Sequence, residues 1–381
     1  MKRIYDGDKV IEAEHINGYL MDGPDVWVES RTKPICDVPV MTTGNRPADG
    51  GHLIIEREDY GRFQKCEPEA LAYIKKFIGS AEFINNKPRY CLWLKNVSPA
   101  VLRKMPLVMQ RIEACKADRL AAPDPGRRKL ADTPTLFRET NNPNSAVVVP
   151  KVSSEKREYV PMGLIDGETI ASDLVFLVPS ATLYHFGVLT SSVHMAWMRT
   201  VCGRLKSDHR YSANIVYNNF PWPKVENVAN VQMLPITNTN CQLGKGELET
   251  GNWELKNGTG NIGNTGNIKK SPNLQNSQSP SNESNKVSSA PLRLCVKNNS
   301  VSSVVKNITQ TAQAILDARA LYPDSSLADL YDPLTMPIEL RKAHAANDAA
   351  VMKAYGYSLS MTEPEIVADL MRRYQELTES C

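Results

Sequence analysis

The sequence predicts an α+β fold, a mixed helix–strand region followed by a small all-helical C-terminal region. Three observations predict it. Up to about Pro223, short apolar runs of strand length such as Ala146-Val147-Val148-Val149-Pro150 alternate with stretches of helical periodicity. Near Thr237 the composition changes to Asn, Gly and Ser with little apolar content. From Ile308 onward only helical periodicity remains.

Residues 1–30 hold short apolar runs and several acids, and read as a connector. Ile35 to Ile54 is turn-rich, with Gly44-Asn45-Arg46-Pro47 and Asp49-Gly50-Gly51 at turn density. Glu67 to Ile78 reads as helix, and Arg89 to Leu94 as a strand. Ser98 to Leu120 is the clearest helix: Ser98 caps it, Pro99 occupies the first turn, and Pro106 splits or kinks it. Ala146–Pro150 and Leu174–Val178 read as strands, with Gly163-Leu164-Ile165-Asp166-Gly167 as a turn between them. Ser192 to Leu205 returns to helix, where Val193 and Trp197 recur at the spacing of a core stripe. After the low-complexity stretch come helical segments around Ile308–Leu316, Leu327–Leu330, Pro337–Tyr355 and Glu363–Leu377. The organisation is thus residues 1–30, a mixed domain over 31–236, a flexible linker or insertion over 237–305, and a helical domain over 306–381.

The 381 residues fit two domains and a linker, and a hydrophobic content of 41% with 23% charged residues suits globular domains. A net charge of only +3 rules out a uniformly basic nucleic-acid binder, so such a role must come from local clustering. Lys87 to Lys129 supplies it, with eleven Lys or Arg against three acids, a balance of +8. Counterion release rewards that clustering on a phosphate backbone; a solvated helix face is the alternative. Arg103, Lys104, Arg111, Arg127, Arg128 and Lys129 are the expected phosphate contacts. Eight cysteines stand singly, with no CxxC pair and no His pair at zinc spacing, which fits free thiols in a reducing compartment rather than a zinc site. The N-terminus lacks the apolar core of a signal peptide, and no run of about 18 apolar residues occurs, so a cytoplasmic location without membrane association is expected.

Gly203 to Ser212 is the most suggestive stretch. If extended, it would point Lys206, Asp208 and Arg210 the same way, a donor, an acceptor and a donor side by side. Those are the groups that touch base edges in a major groove; a solvated loop of mixed charge is the alternative. Other motifs fail. Gly258-Thr259-Gly260-Asn261-Ile262-Gly263 matches GxGxxG but lies in an Asn/Gly tract without the strand and helix it needs. Asn218-Asn219-Phe220-Pro221-Trp222-Pro223 differs from the Asn-Pro-Pro-aromatic motif of amino-group DNA methyltransferases, because Phe220 interrupts the Asn-Pro step. None of the six His pairs with a GxSxG elbow or an HExxH helix, and His185, between Tyr184 and Phe186, reads as a packed histidine.

Longer strings carry a family resemblance. They include Gly44-Asn45-Arg46-Pro47-Ala48-Asp49-Gly50-Gly51, Arg89-Tyr90-Cys91-Leu92-Trp93-Leu94, Pro150-Lys151-Val152-Ser153-Ser154-Glu155-Lys156-Arg157-Glu158-Tyr159, and Ala181 to Thr190. The run from His194 through Lys206-Ser207-Asp208-His209-Arg210-Tyr211-Ser212 to Pro223, and Leu327 to Pro337, complete the set. Together they cover nearly all of the chain outside the Asn/Ser-rich stretch. The chain resembles the C-terminal part of MmeI-like type II restriction–modification enzymes, which join a nuclease, an adenine-specific DNA methyltransferase and a target-recognition domain. The resemblance implies double-stranded DNA as partner. It also implies a methyltransferase portion, and possibly a nuclease, supplied elsewhere. S-adenosylmethionine is expected on that portion and no cofactor in this chain, since the family's cofactor and Asn-Pro-Pro-aromatic motifs lie upstream of the matched region. The chain would then be a specificity portion that is not catalytic alone; a complete methyltransferase with an unrecognised site, or an inactive remnant, are the alternatives. By resemblance, Lys151 with Asp173 and Lys206 with Asp208 read bases, and Leu174 with Arg210 form a third reading position. Chemistry supports such pairs, because Lys donates to guanine O6 and N7 while Asp accepts from the paired cytosine N4. A surface ion pair between Lys151 and Asp173 is the alternative.

Overall fold

Val147, Val148 and Val149 are fully buried on both faces of one strand, as a short continuous run of β-branched residues predicts. Around such runs the computed structural model, which describes residues 2–6, 8–23, 25–224 and 302–379, builds a mixed fold with a helical C-terminal region. An N-terminal hairpin, β1 (Lys2–Asp6) and β2 (Lys9–Ala13), precedes β3 (Thr42–Thr43), β4 (Ile54–Ile55) and α1 (Arg57–Cys66). Then follow β5 (Ile74–Ile78), α2 (Ser80–Ile84), β6 (Arg89–Leu92), α3 (Pro99–Leu102), α4 (Pro106–Ala121) and α5 (Pro125–Lys129). The central part holds β7 (Ser145–Pro150), β8 (Val152–Ser153), β9 (Gly163–Asp166), β10 (Thr169–Ala171) and β11 (Val175–Pro179). Two helices, α6 (Leu183–Leu189) and α7 (Ser192–Val201), lead into the hairpin β12 (Gly203–Leu205) and β13 (Asp208–Arg210). The C-terminal helices are α8 (Ser303–Ala320), α9 (Leu327–Leu330), α10 (Ile338–Tyr355) and α11 (Glu363–Glu379).

Two four-stranded sheets form the scaffold. One runs β10-β5-β6-β4, with β10 parallel to β5 and the rest antiparallel; the other runs β3-β11-β7-β9, antiparallel throughout. A three-stranded sheet, β12-β13-β8, branches from β7. The chain crosses from the first sheet to the second at Ser172-Asp173-Leu174, between β10 and β11. It crosses from the second to the third at Lys151, between β7 and β8.

A first core packs β4–β6 against α1, α3 and α4. The second core is continuous from β7 and β11 through α6 and α7 into α8, α10 and α11, so residues on both sides of the long undescribed stretch belong to one compact unit. Gly187 of α6 makes this closeness possible, since a Cβ there would lie 2.8 Å from Ile308 Cγ2. Among the described residues no helix is long and apolar enough to cross a membrane.

Several expectations change. Glu67–Ile78 is a short 3₁₀ turn, Pro68–Tyr73, followed by β5, because Lys75, Lys76 and Phe77 pair with β6 and a distant partner overrides local helical preference. Gly163–Asp166 is a strand rather than a turn, held by pairing with β7; the turn comes after it. Helix α7 stops at Val201, with Cys202 already extended at ψ 155°, so Leu205 lies in β12. Pro106 does split the helix from Ser98: Arg103, Lys104 and Met105 separate α3 from α4, and the Ser98 hydroxyl accepts from Val101 N. The expected linker over 237–305 and the Gly258–Gly263 string lie outside the described residues, except that Ser302 caps α8 and Ser303–Val305 open it.

Candidate nucleic-acid interface

Lys151, Asp173, Leu174 and Arg210 are brought together by backbone bonds at the two sheet crossings. Lys151 N donates to Leu174 O at 3.3 Å, Tyr211 N donates to Lys151 O at 2.9 Å, and Arg210 lies opposite Val152. The Asp173 crossing is held by Asn45, which is wholly buried. Asn45 N and Nδ2 donate to Ala171 O, at 2.7 and 3.0 Å, and Asn45 O accepts from Asp173 N at 3.0 Å. Gly44 is required beside it, because a Cβ there would lie 2.2 Å from Ser172 O. Ser80 Oγ donates to Leu174 O at 2.6 Å and Leu174 N donates to Ser172 Oγ at 3.2 Å. The Leu174 side chain is nevertheless 53% exposed, a fixed apolar group able to meet a thymine methyl.

The charges at this patch are arranged around Asp173. Its Oδ2 accepts from Arg46 Nε at 3.0 Å, a partner that sequence reasoning missed although Arg46 stands in the quoted Gly44–Gly51 string. Among the described residues Lys151 makes no ion pair with Asp173; its Nζ lies 4.5 Å from the centre of the Phe176 ring. Burial lowers the Lys151 pKa, Asp173 opposes that shift, and Arg210 and Arg46 add to it.

The suggestive stretch is a hairpin. Leu205 pairs with Asp208, Arg204 with His209 and Gly203 with Arg210, leaving Lys206 and Ser207 as a two-residue turn. Lys206 has φ +56°, so it is not extended and does not continue the row of Asp208 and Arg210. A tight hairpin turn demands positive φ where an uninterrupted strand forbids it, which is the reason for the correction. Asp208 and Arg210 do share the outer face of β13, with His209 buried between them. Arg204 Nη1 closes the turn on Ser207 O at 3.0 Å. Arg157 is half-buried, and burial lowers its pKa while the charges of Asp208 and Asp332 oppose the shift.

The basic run divides. Arg103, Lys104, Arg128 and Lys129 are exposed, as phosphate contacts require, although Arg128 Nη1 also donates to Ala122 O and Pro123 O. Arg111 departs from the expectation: its guanidinium donates to His52 O, Ile54 O and Asp59 at 3.0, 2.9 and 2.6 Å. Arg127 is tied to Asp118. Arg119, counted in the local charge, is wholly buried. Local sequence charge overstates the basic surface because tertiary contacts consume these side chains.

The Asn218–Pro223 string is a packing device. Asn218 Nδ2 donates to Arg31 O and Asn219 Nδ2 to Glu29 O, both at 2.7 Å, and Phe220 is wholly buried. Both side-chain amide nitrogens are thereby committed to backbone carbonyls. His185 is packed as expected: its Nδ1 accepts from Thr182 N at 3.1 Å, and burial pulls its pKa down to about 4.

The site is thus a charged loop and a charged hairpin side by side on a branched sheet. Residues 22–224 match the family described as MmeI, target recognition domain, and residues 301–381 match MmeI, C-terminal domain. The chain belongs to the MmeI family. It is 36% identical over 368 residues to DNA methyltransferase A of Bacillus subtilis (strain 168), covering 96% of this chain and 33% of that protein. Its fold resembles the type IIL restriction–modification enzyme MmeI, solved in complex with DNA, with TM-score 0.73 and 34% identity over 97% of this chain and 40% of that one. The chain thus spans between a third and two fifths of the relatives it matches.

Proposed function

We propose that this chain binds duplex DNA and fixes the sequence at which an adenine-specific methyltransferase of a restriction–modification system acts. The observation that carries the reading is the convergence of Lys151, Asp173, Leu174 and Arg210 on one surface, continuous with the hairpin bearing Lys206 and Asp208. A two-stranded ribbon fits a major groove about 12 Å wide. Asp208 and Arg210, two residues apart on one face, are spaced by roughly 7 Å, about two base-pair steps. Lys151 with Asp173 and Lys206 with Asp208 each address a G·C pair, and Leu174 with Arg210 a third position. Lys206 reaches its base from the turn, beyond the strand end. Arg103, Lys104, Arg128 and Lys129 meet phosphates.

The transfer chemistry belongs to a methyltransferase portion that binds S-adenosylmethionine. The described residues hold no Gly-rich turn between strand and helix for that cofactor, and the purified chain is expected not to bind it. The decisive experiment joins the chain to such a portion and maps modified adenines for wild type and the Lys206→Glu/Asp208→Arg double variant. The recognised sequence should change at one base position. An unchanged sequence removes Lys206 and Asp208 from the reading set.

A further inference from the structure

We infer that Arg46 is a specificity-determining residue that reads a guanine edge, with Asp173 as its positioning partner; this rests on the DNA-reading function proposed above. The backbone of Arg46 is fixed on both sides. Its N–H donates to Glu139 Oε2 at 3.0 Å, its carbonyl accepts from Arg138 N at 3.0 Å, and the preceding Asn45 is wholly buried. The side chain is 61% exposed, and its Nε is held by Asp173 Oδ2 at 3.0 Å. Among the described residues Nη1 and Nη2 have no protein partner, unlike the guanidiniums of Arg111 and Arg119, whose Nη atoms are bound to the protein.

A guanidinium held at Nε has its plane set before it meets a ligand. Its terminal amino groups then form a fork matched to two adjacent acceptors, as guanine O6 and N7 provide. The neighbouring carboxylate favours a neutral edge over an anion, since a phosphate brought to the same fork would face Asp173 as a like charge. The patch also holds Lys151 and Arg210, each acting on the same electrostatic surroundings. With Arg46 bound through Nε alone and Lys151 in no ion pair with Asp173 among the described residues, donor capacity beside this carboxylate is left over. Asp173 therefore acts on the base through Arg46 as well as by its own second oxygen.

The test selects duplexes with a randomised core on the purified full chain, comparing wild type with Arg46→Ala, Arg46→Lys and Asp173→Asn by sequencing the bound pool. Arg46→Ala should lose a guanine preference at one position by about ten- to a hundred-fold and keep the other preferences. Arg46→Lys should lose it too while keeping its charge, because Lys has no planar fork, and it stands in should the alanine variant fail to fold. Asp173→Asn should weaken the same position. If Arg46→Ala lowers binding to all sequences equally and reduces the salt slope by about one phosphate's worth, Arg46 is a backbone contact and the inference falls. Unchanged preferences in a selective chain overturn it as a surface ion pair. A wild-type chain with no preference anywhere overturns this inference and the DNA-reading function together.

Discussion

Arg119 and Lys129 carry the same formal charge ten residues apart and do different work. The Arg119 guanidinium donates to five backbone carbonyls, of Ala48, Leu130, Thr133, Pro47 and Leu136, and stitches the Gly44–Gly51 loop to α4 and the segment after α5. Lys129 is exposed. Arg119→Met is expected to cost about 3–5 kcal/mol of stability in a denaturant titration, because buried carbonyls lose their donors. Arg103→Ala, Lys104→Ala and Lys129→Ala should stay within about 0.5 kcal/mol of wild type. Each should instead flatten the dependence of log affinity on log salt by about 0.9. An Arg119 variant of wild-type stability would remove the keystone role. The sequence held a signal for this difference that charge counting passed over: Val108, Ile112, Cys115 and Arg119 all fall on the buried stripe of α4. A basic residue in a core stripe is a structural residue until shown otherwise. Arg46 gave no such signal, because its partner Asp173 is far away in sequence and only the sheet crossing brings them together.

The hairpin shows the same division at the scale of an element. The alternation of Asp208 and Arg210 was legible, because strand faces follow from spacing alone. The position of the turn was not, since Lys206 is no usual turn residue, Ser207 alone is a weak signal, and only the pairing of β12 with β13 forces Lys206 to φ +56°. A lysine held in the left-handed region is disfavoured by about 1 kcal/mol, and its persistence there fits a side chain kept for what it contacts. Lys206→Gly should therefore stabilise the chain by up to about 1 kcal/mol, and under the proposed function it should also abolish discrimination at the base assigned to Lys206. Melting and site selection on one variant check both halves; a destabilised glycine variant would mean that Lys206 packs instead. Long helices were legible throughout, as α8, α10 and α11 show, because repeated periodicity needs no partner. Strands β5 and β9 were not, because each is defined by the strand beside it.

At the scale of the whole molecule, buried titratable groups gather where the recognition part meets the C-terminal helices. Arg319 of α8 donates to Met162 O at 2.8 Å, and His344 of α10 stacks on Tyr159 at 4.1 Å between ring centres. Asp348 accepts from Tyr159 Oη and from Ser192 N, each at 2.7 Å. Burial pulls His185 down to about 4, His194 to about 3, and His344 well below its ordinary value. These groups contribute stability that is fully present above about pH 6.5 and is lost as pH falls toward their folded values. Burial raises Asp348 to about 6 from 3.8, against the opposing hydrogen bonds of Tyr159 and Ser192. Its contribution has the opposite sign: fully present below 3.8, and lost as pH rises through about 6. Between pH 4 and 6 the two effects compete, and the histidines move further, so stability should rise with pH across that window. Asp348→Asn keeps an acceptor for Ser192 N, reverses the bond to Tyr159 so that its hydroxyl oxygen accepts from the amide nitrogen, and removes the opposing titration. The variant should therefore gain on wild type between pH 4 and pH 7, by at most about 3 kcal/mol. Denaturant titrations at a series of pH values measure the difference directly. A difference that stays constant across the window would mean that Asp348 ionises in the folded protein as it does in the unfolded chain, and that the junction is held without a strained carboxylate.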